Sequence, residues 1–148
     1  MASWQQIEAE VPALAALVRE AFAASRHATM ATLRADGGPR ISGTEVDFAA
    51  DGELRIGSMT GAVKARDLLR DPRLALHSPT VDPGEDGAAW PGEAKVAGRA
   101  VGEGEADDAH VFRLDLTEVV WTGHTADRTA LRILSWHPGR GLEEHVRT

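Results

Sequence analysis

The fold is decided by residues 27–48, HATMATLRADGGPRISGTEVDF, which encode two strands and the tight turn between them. The segment 27–34 is strand-like, and Asp36-Gly37-Gly38 is a strong hairpin turn signal. Residues 40–48 are a second predicted strand, and Asp51-Gly52 is a second turn signal. This stretch therefore predicts an antiparallel hairpin at the start of a sheet.

The chain on either side of the hairpin is predicted to contain further strands and two helices. Residues 11–25 carry apolar side chains at helical spacing, and Pro12 suits the first turn of a helix. A second helix is predicted over 61–70, where Asp71-Pro72 stops it. The other predicted strands are 53–58, 73–78, 93–101, 111–122 and 129–136, with turns at 51–52, 102–108 and 123–128 and an acidic, proline-rich loop over 79–92.

This element order predicts a mainly β protein with two or three helices and six or seven antiparallel strands, arranged as a barrel. The predicted elements contain no long alternation of strands and helices, so a parallel sheet is not expected. The 148 residues favour one domain over 1–148, with an N-terminal extension over 1–10 and a loose C-terminal tail over 139–148.

The composition excludes several classes of function. The net charge of −7 argues against nucleic-acid binding, and the absence of cysteine excludes disulfides and thiolate metal sites. The six histidines show no metal-ligand spacing, so no metal site is predicted. No apolar run is long enough to span a membrane, and the first residues do not resemble a signal peptide. A cytoplasmic location is expected.

The most informative motif for function is the strand–turn–helix junction over 56–66. Small residues at a strand end, followed by a helix N-terminus with the hydroxyls of Ser58 and Thr60, form a potential anion site. Lys64 lies about one turn into the helix and is one of only two lysines in the chain. The alternative is that Thr60 is simply the helix N-cap and that Lys64 is a solvated surface residue.

A second polar motif lies on the predicted second strand, where Arg40, Ser42 and Thr44 alternate and therefore share one face. A face with an arginine and two hydroxyls suggests a polar ligand, although it also fits the solvent face of an ordinary hairpin. Gly43 leaves a gap through which a flat ligand or another backbone can approach.

These motifs resemble those of a known family. The run from Lys64 to Leu76, KARDLLRDPRLAL, and the hairpin from Ala28 to Ser42 are similar to segments of the pyridoxamine 5′-phosphate oxidase-like, FMN-binding split β-barrel superfamily. The order of elements matches over about residues 13–136. The resemblance implies a split β-barrel, a homodimer with cofactors at the subunit interface, and FMN or the deazaflavin coenzyme F-420 as hydride carrier.

The resemblance also implies which residues bind the cofactor. Lys64 and Arg40 would contact its phosphate, Ser42 and Thr44 would line the flavin site, and residues 56–60 would run beside the ring or ribityl chain. The implied set is Arg40, Ser42, Thr44, Ile56, Gly57, Ser58, Met59, Thr60, Lys64 and Arg66. The cofactor carries the hydride chemistry, so no catalytic side chain is assigned.

Two departures from the family pattern argue against pyridoxamine phosphate chemistry. Glu45 is acidic where those oxidases favour a phosphate-binding base, and residues 139–148 do not resemble their basic C-terminal segment. The prediction is a flavin- or deazaflavin-dependent oxidoreductase of a small organic substrate. The alternatives are a non-catalytic carrier of flavin, F-420 or haem, and a cofactor-free interaction module. Trp90, in the 79–92 loop, is a candidate for a mobile lid.

Overall fold

The computed structural model describes residues 1–87 and 90–148, so positions 88 and 89 of the predicted 79–92 loop lie outside the described residues. The described part contains three helices and eight strands. In chain order they are α1 Trp4–Glu10, α2 Pro12–Ala23, β1 His27–Leu33, β2 Pro39–Phe48, β3 Leu54–Met59, α3 Val63–Arg70, β4 Arg73–His77, β5 Glu93–Ala106, β6 Ala109–His124, β7 Leu131–His137 and β8 Gly141–Arg147.

All eight strands belong to one antiparallel sheet with the order β3-β2-β1-β4-β5-β6-β7-β8. An additional pairing between β3 and β6 closes the first six strands into a barrel. The last two strands continue the sheet outward from β6. The predicted mainly β, antiparallel split barrel is therefore confirmed, with one strand more than the predicted maximum.

The core fills the barrel and the layer beneath α1 and α2. Inward side chains alternate along each barrel strand, and they include the fully buried Met30 and Leu114. The N-terminal segment belongs to this core, because Trp4 and Ile7 of α1 are completely buried. Burial of an aliphatic side chain such as that of Ile7 contributes roughly 1.5–3 kcal/mol. The helix begins at a capping box in which Ser3 and Gln6 bond reciprocally.

The predicted loose tail over 139–148 is wrong, because residues 141–147 form β8. Gly139 and Gly141 have φ values of 82° and 74°, which allow a tight reversal after β7. The returning strand pairs with β7 in antiparallel register and is joined to it by a 2.7 Å ion pair between Arg132 and Glu144. Six of its seven residues are exposed, so the sequence carries no alternating pattern that marks a strand.

The predicted turn over 102–108 is also wrong in extent. β5 continues to Ala106 and β6 begins at Ala109, so the turn consists of Asp107 and Asp108. Both have positive φ, 50° and 60°, as in the tight turns that match the twist of a hairpin. The tip of this hairpin is exposed on both faces, which is why its glycines and acids resemble a loop.

Candidate functional site: the cleft between β2 and β3

The candidate site lies where β2 and β3 separate. The two strands pair at Phe48↔Leu54, Asp47↔Arg55 and Val46↔Ile56 only. Beyond that point β2 pairs with β1, and β3 pairs with β6. The separation opens a cleft of about 690 Å³, within the usual range for small-molecule sites. Its lining comprises His27, Gly43, Thr44, Glu45, Val46, Asp47, Gly57, Ser58, Met59, Lys64 and Ala109.

The buried part of the lining carries two hydroxyls. Thr44 on β2 and Ser58 on β3 are only 4% and 3% exposed. Ser58 Oγ is one of four buried side-chain polar atoms that have no hydrogen-bond partner within the described residues, and it is the one whose residue lines the cleft. A buried hydroxyl without a partner is destabilising by about 1–3 kcal/mol, so this position favours a polar ligand group.

Two glycines leave part of the cleft wall as bare backbone. Gly43 on β2 and Gly57 on β3 are exposed, and a Cβ built on either would meet nothing within 4 Å. Space beside a strand backbone admits a flat ring system against the peptide plane. The open space beside Gly43 agrees with the gap that was predicted at this residue.

Lys64 reaches the cleft from the first turn of α3. Its Nζ donates a 2.6 Å hydrogen bond to the carbonyl oxygen of Gly43, and an ammonium group has two further donors. The helix begins at Val63 with Ala62 as the N-cap residue, and no side chain caps it. The alternative that Thr60 is the N-cap is therefore wrong. The first turn of α3 thus has backbone N–H groups that no capping side chain satisfies.

Arg40 holds α3 against β2. Its Nε donates a 2.6 Å hydrogen bond to Oδ2 of Asp67, which also accepts from Thr32 Oγ1 at 2.8 Å. Oδ1 of Asp67 forms a 2.9 Å ion pair with Arg70. Burial alone would raise the pKa of Asp67, but these hydrogen bonds outweigh it and lower the pKa to about 2. The aspartate is therefore ionised at neutral pH and fixes the helix that presents Lys64.

The structure brings half of the predicted site residues into the cleft. Thr44, Gly57, Ser58, Met59 and Lys64 line it, whereas the other five lie outside its lining. The Ile56 side chain is buried in the core, and Arg66 is exposed and donates to the carbonyl of Gly61. The remaining members lie close by: half-buried Arg40 and Ser42 on the inner face of β2, and exposed Thr60 in the turn before α3.

Several residues of the lining are absent from the set predicted from the sequence. Glu45 and Asp47 share the outward face of β2 with Gly43, and strand periodicity alone could have placed them together. His27 enters because it is the cross-strand partner of Glu45. Ala109 enters through the pairing of β3 with β6, for which the sequence carries no local signal.

Trp90 lies away from the cleft. Its ring packs edge-on against His124 with centroids 5.0 Å apart, at the end of β6 opposite to Ala109. A Trp90 lid over the cleft of the same chain is therefore not formed. Trp121 and Trp136 are buried in the core.

Residues 1–87 and 90–148 were compared with the requirements of a metal site and of a membrane-spanning helix, and they meet neither. No group of three or more His, Asp or Glu side chains there is placed to hold a metal ion. Of the helices that the structure describes, none has the length and apolarity that a bilayer-spanning helix requires.

The closed six-stranded barrel and its polar cleft define the chain as a split-barrel protein. A family model described as pyridoxamine 5′-phosphate oxidase matches residues 14–120, which is more than half of the chain. The chain therefore belongs to the pyridoxamine 5′-phosphate oxidase-like family. The same residues contain the hairpin, the cleft and α3. No curated protein matches the chain.

Solved structures with the same fold come from several bacteria. A pyridoxamine 5′-phosphate oxidase-related, FMN-binding protein of Nostoc punctiforme has a TM-score of 0.65 and 12% identity, with coverage of 100% of this chain and 98% of that one. PhzG of Burkholderia lata, solved with tetrahydrophenazine-1-carboxylic acid, has a TM-score of 0.63 and 13% identity over 92% and 86% of the two chains. The heme storage protein HutZ of Vibrio cholerae has a TM-score of 0.53 and 16% identity over 72% and 89%. At these identities the likeness concerns the fold.

Proposed function

We propose that the cleft between β2 and β3 binds a phosphate-bearing flavin-type cofactor, FMN or the deazaflavin F-420, and that the protein is a cytoplasmic oxidoreductase of a small organic substrate. The observation that carries this proposal is the buried, unpartnered hydroxyl of Ser58 in a cleft that also contains Lys64. A polar group without a hydrogen-bond partner and an ammonium group with no ion-pair partner among the described residues are together the complement of an anionic, hydrogen-bonding ligand.

The residues present fit such a cofactor. Lys64 is the proposed phosphate contact, because its ammonium group has donors left after bonding to Gly43. Arg40 keeps Nε on Asp67 and has its terminal guanidinium nitrogens for the same phosphate. Ser58 and Thr44 are the proposed hydrogen-bonding groups for the flavin.

The remaining members of the predicted set have lesser proposed roles. The backbone of 56–60 runs beside the cofactor, with Gly57 giving a flat ring access to the peptide plane. Ser42 on the inner face of β2 and Arg66 on α3 belong to the surroundings of the site. Hydride transfer is the chemistry that a bound flavin or deazaflavin supplies. The chain itself binds, orients and shields the group, so we assign no catalytic side chain.

A homodimer is part of this proposal. Ile41 and Met59 are 75% and 77% exposed, and both lie on the outward face that borders the cleft. Beside Ile41 is an apolar groove of about 210 Å³ that includes Ala31, Leu33 and Ala75. Exposed apolar surface next to a ligand cleft favours coverage by a second subunit.

Absorbance of the purified full-length chain tests the proposed function. A bound chromophore absorbing near roughly 450 nm indicates FMN, and one near roughly 420 nm indicates F-420. A protein purified without colour is titrated with each cofactor. A Soret band would instead favour the carrier alternative with haem, and the lack of binding by all three compounds would contradict the proposal.

A further inference from the structure

The outer edge of β8 is open. This strand is the last one in the sheet order, and among residues 1–87 and 90–148 only β7 pairs with it. An open edge presents backbone N–H and C=O groups to which another strand can bind. Proline, lysine and β-bulges commonly protect such edges, but β8 has no proline or lysine and its register with β7 is uninterrupted. The edge can therefore accept a further strand.

The sequence of β8 is complementary to itself. Two copies of one strand pair antiparallel about a two-fold axis perpendicular to the sheet, so facing residues lie on the same side of the sheet. A pairing centred on Glu144 engages all seven residues of β8 in both copies. Each residue then faces the one that lies equally far from Glu144 on the other side, in the second copy.

One face of this pairing is apolar. Leu142 and Val146 lie on the same face of β8 as Glu144 and are 50% and 55% exposed. In the pairing centred on Glu144, Leu142 of one copy faces Val146 of the second copy, and such cross-strand apolar pairs are stabilising. Leu142 is also the cross-strand neighbour of the buried Trp136 on β7, so the apolar surface is continuous with the core.

The other face of β8 is complementary in charge. Glu143 faces His145 of the second copy, whose imidazole can donate a hydrogen bond to the carboxylate. Arg147 of the second copy is the diagonal neighbour of Glu143, about 7–8 Å away and within reach of its long side chain. Arg147 forms no ion pair among the described residues, and Glu143 has only a long 3.7 Å contact with Arg140. The second copy therefore supplies a partner for both charges.

The two Glu144 residues face each other at the axis, where like charges would be destabilising. Each carboxylate already binds Arg132 of its own chain at 2.7 Å, so a counter-charge accompanies it. A shift of the axis by one residue in either direction would separate the two apolar side chains and leave part of the strand unpaired. The pairing centred on Glu144 is therefore the one that the sequence favours.

We propose that β8 is an interaction surface for a second copy of this chain, which extends the sheet by antiparallel pairing of the two β8 strands about Glu144. This surface is separate from the cleft, because β7 pairs with residues 119–124 of β6 whereas Ala109 of β6 lines the cleft. The inference is thus independent of the proposed cofactor. Together with the homodimer proposed at Ile41 and Met59, this second two-fold contact builds an assembly larger than a dimer.

Single cysteines introduced into this cysteine-free chain test the pairing. Under mild oxidation, Glu144→Cys should form a disulfide between copies, because the axis brings the two Cα atoms to about 4.5–5.5 Å. Leu142→Cys alone should not, since its two copies lie about 13 Å apart along the strands. A mixture of Leu142→Cys and Val146→Cys should cross-link. Glu20→Cys, at an exposed position of α2, is the control for random collision.

Two outcomes on a non-reducing gel overturn the proposal. One is a Glu144→Cys chain that does not cross-link, and the other is equally efficient cross-linking of Leu142→Cys alone or of Glu20→Cys. The variant Ile41→Asp/Met59→Asp, made in the Glu144→Cys chain, alters the other proposed contact and should keep the disulfide. Loss of the disulfide there would contradict an independent β8 surface.

Sedimentation equilibrium of the full chain gives a second measurement, at concentrations up to about 100 μM so that micromolar contacts are visible. Leu142→Asp/Val146→Asp should have no more than half the mass of the wild-type assembly. A monomeric wild type, or a double variant with the wild-type mass, overturns the proposal. FMN titration of the same samples separates the two proposals, because wild type that assembles through β8 without binding FMN or F-420 contradicts the proposed function alone.

Discussion

Arg40 Nε and Asp67 Oδ2 are 2.6 Å apart, and this contact joins β2 to α3. The aspartate side chain is 2% exposed and the arginine side chain 22% exposed, so the ion pair is largely shielded from water. Thr32 and Arg70 donate further hydrogen bonds to the Asp67 carboxylate. The network fixes the helix that carries Lys64 against the strand that carries Gly43.

Removal of the Asp67 carboxylate should destabilise the fold. We expect Asp67→Ala to lower the free energy of unfolding by about 3 kcal/mol, because it leaves Arg40 as a poorly solvated charge without its partner. Urea denaturation measures the change. Glu20→Ala, at an exposed position of α2, should stay within about 0.5 kcal/mol of wild type. Equal effects of the two variants would contradict the structural role of Asp67.

The same carboxylate should produce a dependence of stability on pH. The pKa of Asp67 is lowered from 3.8 to about 2, since the hydrogen bonds of Arg40, Thr32 and Arg70 outweigh the effect of burial. Because the folded pKa is the lower one, its contribution to stability is complete above about pH 4 and is lost as the pH falls toward 2. Urea titrations at pH 7, 4, 3 and 2 should show a steeper decline for wild type than for Asp67→Asn. Parallel declines would be inconsistent with this pKa.

Lys64 should matter for binding and not for folding. Lys64→Ala is expected to weaken the affinity for FMN about 10- to 100-fold, because it removes a charge-assisted contact to the phosphate. Its stability should change by less than about 0.5 kcal/mol, since the bond to Gly43 lies at the surface. Flavin fluorescence and urea denaturation provide the two values. Lys95→Ala, which removes the other lysine from the exposed face of β5, should bind FMN normally. The reverse pattern, lost stability with intact binding, would make Lys64 structural.

A side chain at Gly57 should block the cleft without disturbing the barrel. Gly57 has no neighbour within 4 Å of an added Cβ and does not need a positive φ, so Gly57→Leu should fold and place its side chain in the cleft. We expect at least a tenfold loss of FMN affinity, roughly the loss of one good contact. Gly102→Leu, at an exposed glycine of β5 outside the cleft, is the matched control. Normal FMN binding by Gly57→Leu would show that FMN does not bind in this cleft.

The sequence predicts the barrel well wherever one face of a strand is buried. β1 and β3 alternate between buried and more exposed positions, and this period is visible in the residues themselves. β8 and the tip of the β5–β6 hairpin are exposed on both faces, so burial leaves no pattern there. These segments are strands because a neighbouring strand satisfies their backbone, which is a tertiary property.

The candidate site is predictable only where it is local. The junction over 56–64 and the alternating face of β2 are visible in sequence, and both border the cleft. The bond between Arg40 and Asp67 joins residues that are 27 positions apart. Ala109 contributes only because β3 pairs with β6. Such contacts depend on the closure of the barrel, which no local pattern specifies.

Comparison of FMN with riboflavin tests the central claim most directly, because the two compounds differ only in the phosphate. Both are titrated into the full-length wild type and into Lys64→Ala, with flavin fluorescence as the readout. We expect wild type to bind FMN at least about tenfold more tightly than riboflavin, and we expect this difference to shrink in Lys64→Ala. Equal affinity of wild type for the two compounds, or an undiminished preference for FMN in Lys64→Ala, would contradict a phosphate site at Lys64.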